Sequence, residues 1–444
     1  MKQRKNLNAW IVFAGLFTAV PGLNGQGTPL AWDATKNFEF RIDKVSVSAD
    51  KVKVIISVAN PNRTAEFPDL LWNIKTAGPI TGGVVRVLLG WEPREYGNMN
   101  SRGNLNPVLT IPSSIGAALP VSINALTGPS AAKPCDETNC PGMVAGRFYV
   151  TGTVTPMPFP PGATVATGMA AIEGRAVCPT TGPVLPGCPT TGGVATAANV
   201  PVKSVVKAFS FIPGGTAVER RKIVDINKCM KCHDDKQHGD SVVPKLSLHG
   251  GSRNENLGLC VICHNPSQTD IPYRSAGAEV SIDFKRMVHG IHAGGFRETP
   301  LQIVGFQGAG ADFSKVRFPA SLRNCLNCHI EANGKGTFEL PLGAEVLGST
   351  VDTRSVQVTA TTPLRQVNVD PADDWRITPT AATCSGCHDK REVRTHMIRT
   401  GGASFSILQQ NIVPGVTERC VNCHGRGRAK DVRKVHEIGG GDDH

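Results

Sequence analysis

The sequence predicts a multidomain chain, with an all-β N-terminal domain followed by a domain of short helices and loops. Three observations carry this. Segments rich in β-branched and aromatic residues, separated by Gly, Pro and Asn, run from about residue 37 to 211. All twelve His lie after Lys228. Beyond that same point, ten of the fourteen Cys fall into five copies of one short motif. At 444 residues the chain is long enough for two or three domains, each with its own core.

The N-terminus reads as a leader. Lys2, Arg4 and Lys5 precede an apolar run at 9–17, and small, turn-prone residues follow at 20–25. This order predicts an export signal peptide over 1–25. The run is too short to cross a bilayer comfortably and no other segment approaches that length, so no transmembrane segment is expected after cleavage. No Cys precedes Cys135. The expectation is an exported protein at the cell surface, outside the cell or in the periplasm, without a lipid anchor on an N-terminal Cys.

Residues 26–212 form the expected β-rich domain. Strands are expected at 51–58, 84–89, 146–154 and 200–211, a spacing that suggests a sandwich or small barrel. Cys135, Cys140, Cys178 and Cys188 lie here, and in an oxidising compartment an even set implies two disulfides. Of three connectivities, the two local ones are favoured, because each closes a short, turn-rich loop. The turn at Pro213, Gly214 and Gly215 ends the β pattern, and the second domain is expected over 220–444.

The five motifs are Cys229-x-x-Cys232-His233, Cys260-x-x-Cys263-His264, Cys325-x-x-Cys328-His329, Cys384-x-x-Cys387-His388 and Cys420-x-x-Cys423-His424. C-x-x-C-H is the attachment signature of c-type haem: two thiols add across the porphyrin vinyl groups, and the next residue brings an imidazole to the iron. Zinc is the competing use of paired C-x-x-C. It does not account for a His after every pair, and an odd number of pairs suits one cofactor each. Five covalently bound haem c groups are therefore expected, at about one motif per 43–44 residues. That density makes the haems themselves the core, with short helices and loops around them. The motif-free stretch from 330 to 382 is expected to be a loop or hairpin covering them.

Five irons need five further ligands. Of the seven remaining His, His238 lies in a charged stretch and His444 in a Gly/Asp tail, so both are set aside. His249, His289, His292, His396 and His436 remain. His289 and His292, three apart, project from nearly one face of a helix and can serve two neighbouring irons. Met is the alternative axial ligand, but Met230 lies inside a motif, and Met287 and Met397 neighbour the favoured His. Two imidazoles per iron leave no open coordination position, which suits electron transfer rather than binding of a small substrate.

The net charge of +11 does not point to nucleic acid. Without Lys2, Arg4 and Lys5 it is +8, and five haems add roughly ten propionate negatives against about five positive charges when oxidised.

With these residues in view, the chain resembles the OmcA/MtrC family of multihaem cytochromes from metal-reducing bacteria. The resemblance rests on 221–225 leading into Cys229, on 248–250 and 259–266, on 284–294, on 336–342 and on 431–436. It implies a split-barrel form for the β domain, and distal ligation by His249, His289, His292, His396 and His436. It also implies partners among other cytochromes or an outer-membrane electron conduit, with metal oxides or flavins as acceptors. Here one β–pentahaem unit stands where the family usually has two. The expected function is electron transfer through five bis-His haems in extracellular or periplasmic respiration. A multihaem reductase of a small oxyanion and a filament-forming cytochrome subunit are the alternatives.

Overall fold

The computed structural model describes residues 29–48, 51–59, 84–91, 121–124, 133–134, 136–141, 148–154, 167–178, 180, 184–238, 241–274, 277–305, 310–342, 348–353, 356–359, 365–368, 373–413 and 418–438. The expected leader at 1–25, Cys135 and His444 lie outside these residues.

The first half contains strands β1 (Glu39–Ser48), β2 (Lys51–Ala59), β3 (Val84–Trp91), β4 (Val121–Asn124), β5 (Lys133–Pro134), β6 (Phe148–Val154), β7 (Thr167–Val177), β8 (Thr190–Thr191), β9 (Val194–Ala195), β10 (Asn199–Pro201) and β11 (Val205–Ser210). One sheet has the order β1-β2-β6-β5 and the other β10-β7-β3-β4, with β11 also on β7. Side chains alternate across a strand, so Phe40 and Ile42, Val52, Val54 and Ile56, Val85, Val87 and Leu89, and Ala170 and Ile172 enter one core between the sheets. Among the described residues the sheets stay open, which makes a sandwich rather than a closed barrel. Cys178 and Cys188 form a disulfide and both pack in this core. Cys140 is disulfide-bonded as well.

The expected strands at 51–58 and 84–89 correspond to β2 and β3, and β6 covers the described part of the one expected at 146–154. The strand expected at 200–211 divides into β10 and β11, which pair with β7 on either side of a gap. A segment of the second half fills that gap. Gly174 N donates to Ser252 O (2.7 Å) and Ser204 N to Asn254 O (3.0 Å). The Asn254 amide donates to Val202 O (2.9 Å).

This docking explains why β7 is buried on both faces. Its second face, with Leu88 of β3, presents Met169 and Ala171 to Leu259, Val261 and Ile262 in a separate apolar cluster. The two halves thus share packed side chains and backbone hydrogen bonds.

The second half holds helices α1 (Ile226–Cys229), α2 (Leu257–Cys263), α3 (Phe284–His292), α4 (Pro379–Cys384), α5 (Arg391–Arg399), α6 (Val421–His424) and α7 (Val432–Val435), none longer than nine residues. Two-stranded ribbons connect them, including β12 (Lys236–His238) with β13 (Ser241–Val243), and β14 (Ser247–Leu248) with β15 (Arg253–Asn254). Within 330–382, Glu331–Ala332 pairs with Lys335–Gly336 and Val356–Thr359 with Arg365–Asn368, both antiparallel. The strands at 350–353 and 375–377 instead join 407–408 in a small three-stranded sheet. No helix among the described residues is long and apolar enough to cross a membrane.

Candidate haem-iron sites

All five motifs adopt the same single turn. The backbone N–H of each motif His donates to the carbonyl of the first Cys, at 2.8–3.0 Å in every case. One helical turn places both sulfurs and the imidazole on one side of the backbone. Side-chain acceptors fix where the first, second and fourth turns begin. Asp225 and Asn256 accept from Asn227 N and Leu259 N ahead of the first and second motifs. At the fourth, the Glu418 carboxylate accepts from Thr380 N (2.6 Å) and Ala381 N (2.8 Å), closing the N-terminus of α4.

Each motif His faces one other His. Ring centroids are 6.3 Å apart for His233–His292, 6.1 Å for His249–His264 and 6.2 Å for His289–His329. They are 5.9 Å apart for His388–His436 and 6.2 Å for His396–His424. The five partners are the five His singled out from the sequence. An iron bound at about 2 Å by an imidazole on each side requires centroids about 6 Å apart. Ordinary aromatic contacts span 4.5–7 Å, but chance contact does not match five motif His with five different partners in so narrow a range. His238 lies apart, its Nε2 2.8 Å from an Asp234 carboxylate oxygen.

The second ring nitrogen supports the same reading. Nδ1 lies against a carbonyl in His233 (Pro244, 2.8 Å), His264 (Ile282, 3.0 Å), His292 (Val288, 2.9 Å), His424 (Lys430, 3.0 Å) and His436 (Val432, 3.0 Å). A carbonyl only accepts, so Nδ1 carries the proton and Nε2 keeps the lone pair a metal needs. Burial pushes the imidazoles of His264, His289 and His329 down to about 4, and lowers His233, His249, His292 and His388 as well. Imidazoles paired across a gap of this width, seven of them lowered by burial, fit haem iron. Desolvation raises the Cys263 and Cys384 thiols to about 12 and those of Cys260, Cys387 and Cys420 to about 11, while the Cys387 and Cys423 residues remain exposed.

Four of the motifs lie against one another in the order first, third, fourth and fifth. The first and third lie back to back, with Asp225 N donating to Cys328 O (3.1 Å) and Lys228 Nζ to Leu326 O (2.9 Å). Cys229 and Cys328 share a hydrogen bond that holds the Cys328 thiol down and pushes the Cys229 thiol up. α3 supplies His292 opposite the first motif and His289 opposite the third, one turn apart. The same helix packs on the fourth motif, where Arg286 Nη1 donates to Ser385 Oγ (2.7 Å). The fourth and fifth exchange partners. His396 of α5, just after the fourth motif, faces the fifth, while His436, after the fifth, faces the fourth.

The second motif sits against the sandwich through Leu259, Val261 and Ile262. Beside it lies Arg253, which the sequence did not single out. Burial works to lower its guanidinium, and the neighbouring Glu173 carboxylate leads the charges that raise it on balance. Nothing in its local sequence signals a role, because Glu173 is 80 positions away.

Residues 221–437 match the family described as outer membrane cytochrome MtrC/MtrF-like, domains II/IV. No curated protein matches the sequence. Among solved structures, MtrC from Shewanella baltica OS185 is 17% identical, with a TM-score of 0.48, over 88% of this chain and 52% of that one. The outer membrane decaheme cytochrome OmcA is 18% identical, with a TM-score of 0.37, over 68% of this chain and 41% of that one. The chain thus aligns with about half the length of each.

Proposed function

We propose that this chain, which belongs to the OmcA/MtrC family of multihaem cytochromes, is an electron carrier with five bis-His haems, acting in extracellular or periplasmic respiration. The observation that carries the reading is the set of five facing His pairs, each joining a C-x-x-C-H imidazole to a different second imidazole. The residues divide the work. Cys229, Cys232, Cys260, Cys263, Cys325, Cys328, Cys384, Cys387, Cys420 and Cys423 hold the porphyrins through thioethers. His233, His264, His329, His388 and His424 bind the irons on one side, and His292, His249, His289, His436 and His396 on the other. Haem iron supplies the one-electron ferric/ferrous couple.

The protein's own contribution is spacing and exclusion. Contacts between the first, third, fourth and fifth motifs support a continuous path in that order, with the second branching toward the sandwich. Filling both axial positions keeps small oxyanions off the metal, which favours a carrier over a reductase. The domain limits that go with this reading are 26–212 and 220–444. Partners would be other cytochromes or an outer-membrane conduit, with metal oxides or flavins as terminal acceptors.

The test is a pyridine haemochrome count with low-temperature EPR on oxidised, haem-matured protein. The reading expects five haems per chain, all low-spin. A high-spin haem that responds to nitrite or cyanide would replace it with a reductase.

A further inference from the structure

Among the described residues the Arg253 side chain is held by one hydrogen bond. Its Nε donates to Glu173 Oε2 at 2.7 Å, and among the described residues its two Nη groups make none. Glu173 lies on β7 in the sandwich, with its side chain 4% exposed, and its other oxygen accepts from Arg86 Nη1 at 3.4 Å. A buried carboxylate is costly unless paired, so this pair is held firmly. Backbone hydrogen bonds from Gly174 to Ser252 and from Ser204 to Asn254 fix the segment on either side of Arg253. The guanidinium is within electrostatic reach of His249, His264 and Cys263.

We propose that Glu173 positions Arg253 so that its free Nη fork holds a carboxylate of the haem on Cys260 and Cys263, and that this charge pair sets that haem's reduction potential. The inference rests on the five-haem reading. Three features of the fork support it: it is aimed by its Nε, two donors remain open, and guanidinium geometry matches a carboxylate in two-point fashion. Reduction removes one positive charge from the iron, so Arg253 favours the ferrous state and Glu173 opposes it. The sandwich would then tune the branch haem through one buried side chain.

The experiment is a spectroelectrochemical titration of the holoprotein, resolved into one-electron steps, with circular dichroism to confirm folding. Arg253→Met is expected to lower the reduced-to-oxidised ratio of one haem about tenfold at fixed potential, and Glu173→Gln to raise it comparably. The double variant should return toward the parent value. Arg253→Lys, which keeps charge but not the fork, should recover part of the shift. Folded single variants in which all five steps stay in place would overturn the proposal, as would a uniform shift of all five. A parent protein with fewer than five haems would instead overturn the attachment reading, before any variant is compared.

Discussion

His249 adopts a left-handed backbone conformation, with φ of 53°, and Gly250 and Gly251 follow it at 73° and 84°. For a residue with a Cβ this costs about 1 kcal/mol, yet the β14–β15 turn keeps it and brings the imidazole opposite His264. His249→Gly should therefore fold at least as well, while one of five low-spin EPR signals becomes high-spin and added imidazole restores it. Five unchanged low-spin signals would show that His249 is not a ligand. Acid should weaken the native state through His264, His289 and His329. In the unfolded chain they take protons near 6.5, whereas burial holds them near 4 when folded. Below about 6.5 the unfolded state binds more protons, and binding to iron would keep the folded imidazoles unprotonated further still, so stability falls as pH drops below about 6.5. A lower guanidinium midpoint at pH 5 than at pH 7 is expected; equal midpoints would contradict it. At this scale the ligand candidates were legible because the motif is local. Their pairing was not, since His292 crosses to His233 and His436 crosses to His388.

Among the elements, α3 depends on close approach. A Cβ on Gly386, inside the fourth motif, would stand 2.6 Å from His289 Cβ and 3.3 Å from Arg286 O. Gly386→Ala should push the helix outward, cost about 1–3 kcal/mol, and disturb the ligands of two irons together, which a thermal melt and EPR would both register. A change confined to one iron would mean that the helix does not move as a unit. That glycine could not be recognised as a contact point from a motif whose central positions vary freely. The division of the expected strand at 200–211 was hidden for a similar reason. Its residues favour extended structure throughout, and the interruption comes from Ser252 and Asn254, supplied by another part of the chain.

For the whole molecule, the junction between halves is a second apolar core rather than a tether. Leu259 is 1% exposed and packs with Leu88, Met169 and Ala171 across it. Leu259→Ala should cost about 2–4 kcal/mol, and should loosen sandwich and second motif in one transition by calorimetry. Two separate transitions in the parent protein would show that the halves fold independently. The β pattern of the first half and the confinement of every His to the region after Lys228 announced two halves, but not that β7 would be covered on both faces.

The exchange of partners between the last two motifs has a consequence for how the protein is made. Cys384, Cys387 and His388 emerge from the export channel well before His436, whereas His249 precedes the motif it faces. On that proposed ligation the fourth site would stay half-built until His436 has been delivered, while the fifth could close at once on His396. A chain stopped at 430 should carry all five attached groups, with one iron left incomplete at the fourth motif. EPR on such a truncated product would show one high-spin centre; none would mean that another side chain completes the site. α7 thus supplies the second half of a site whose first half is made well before it.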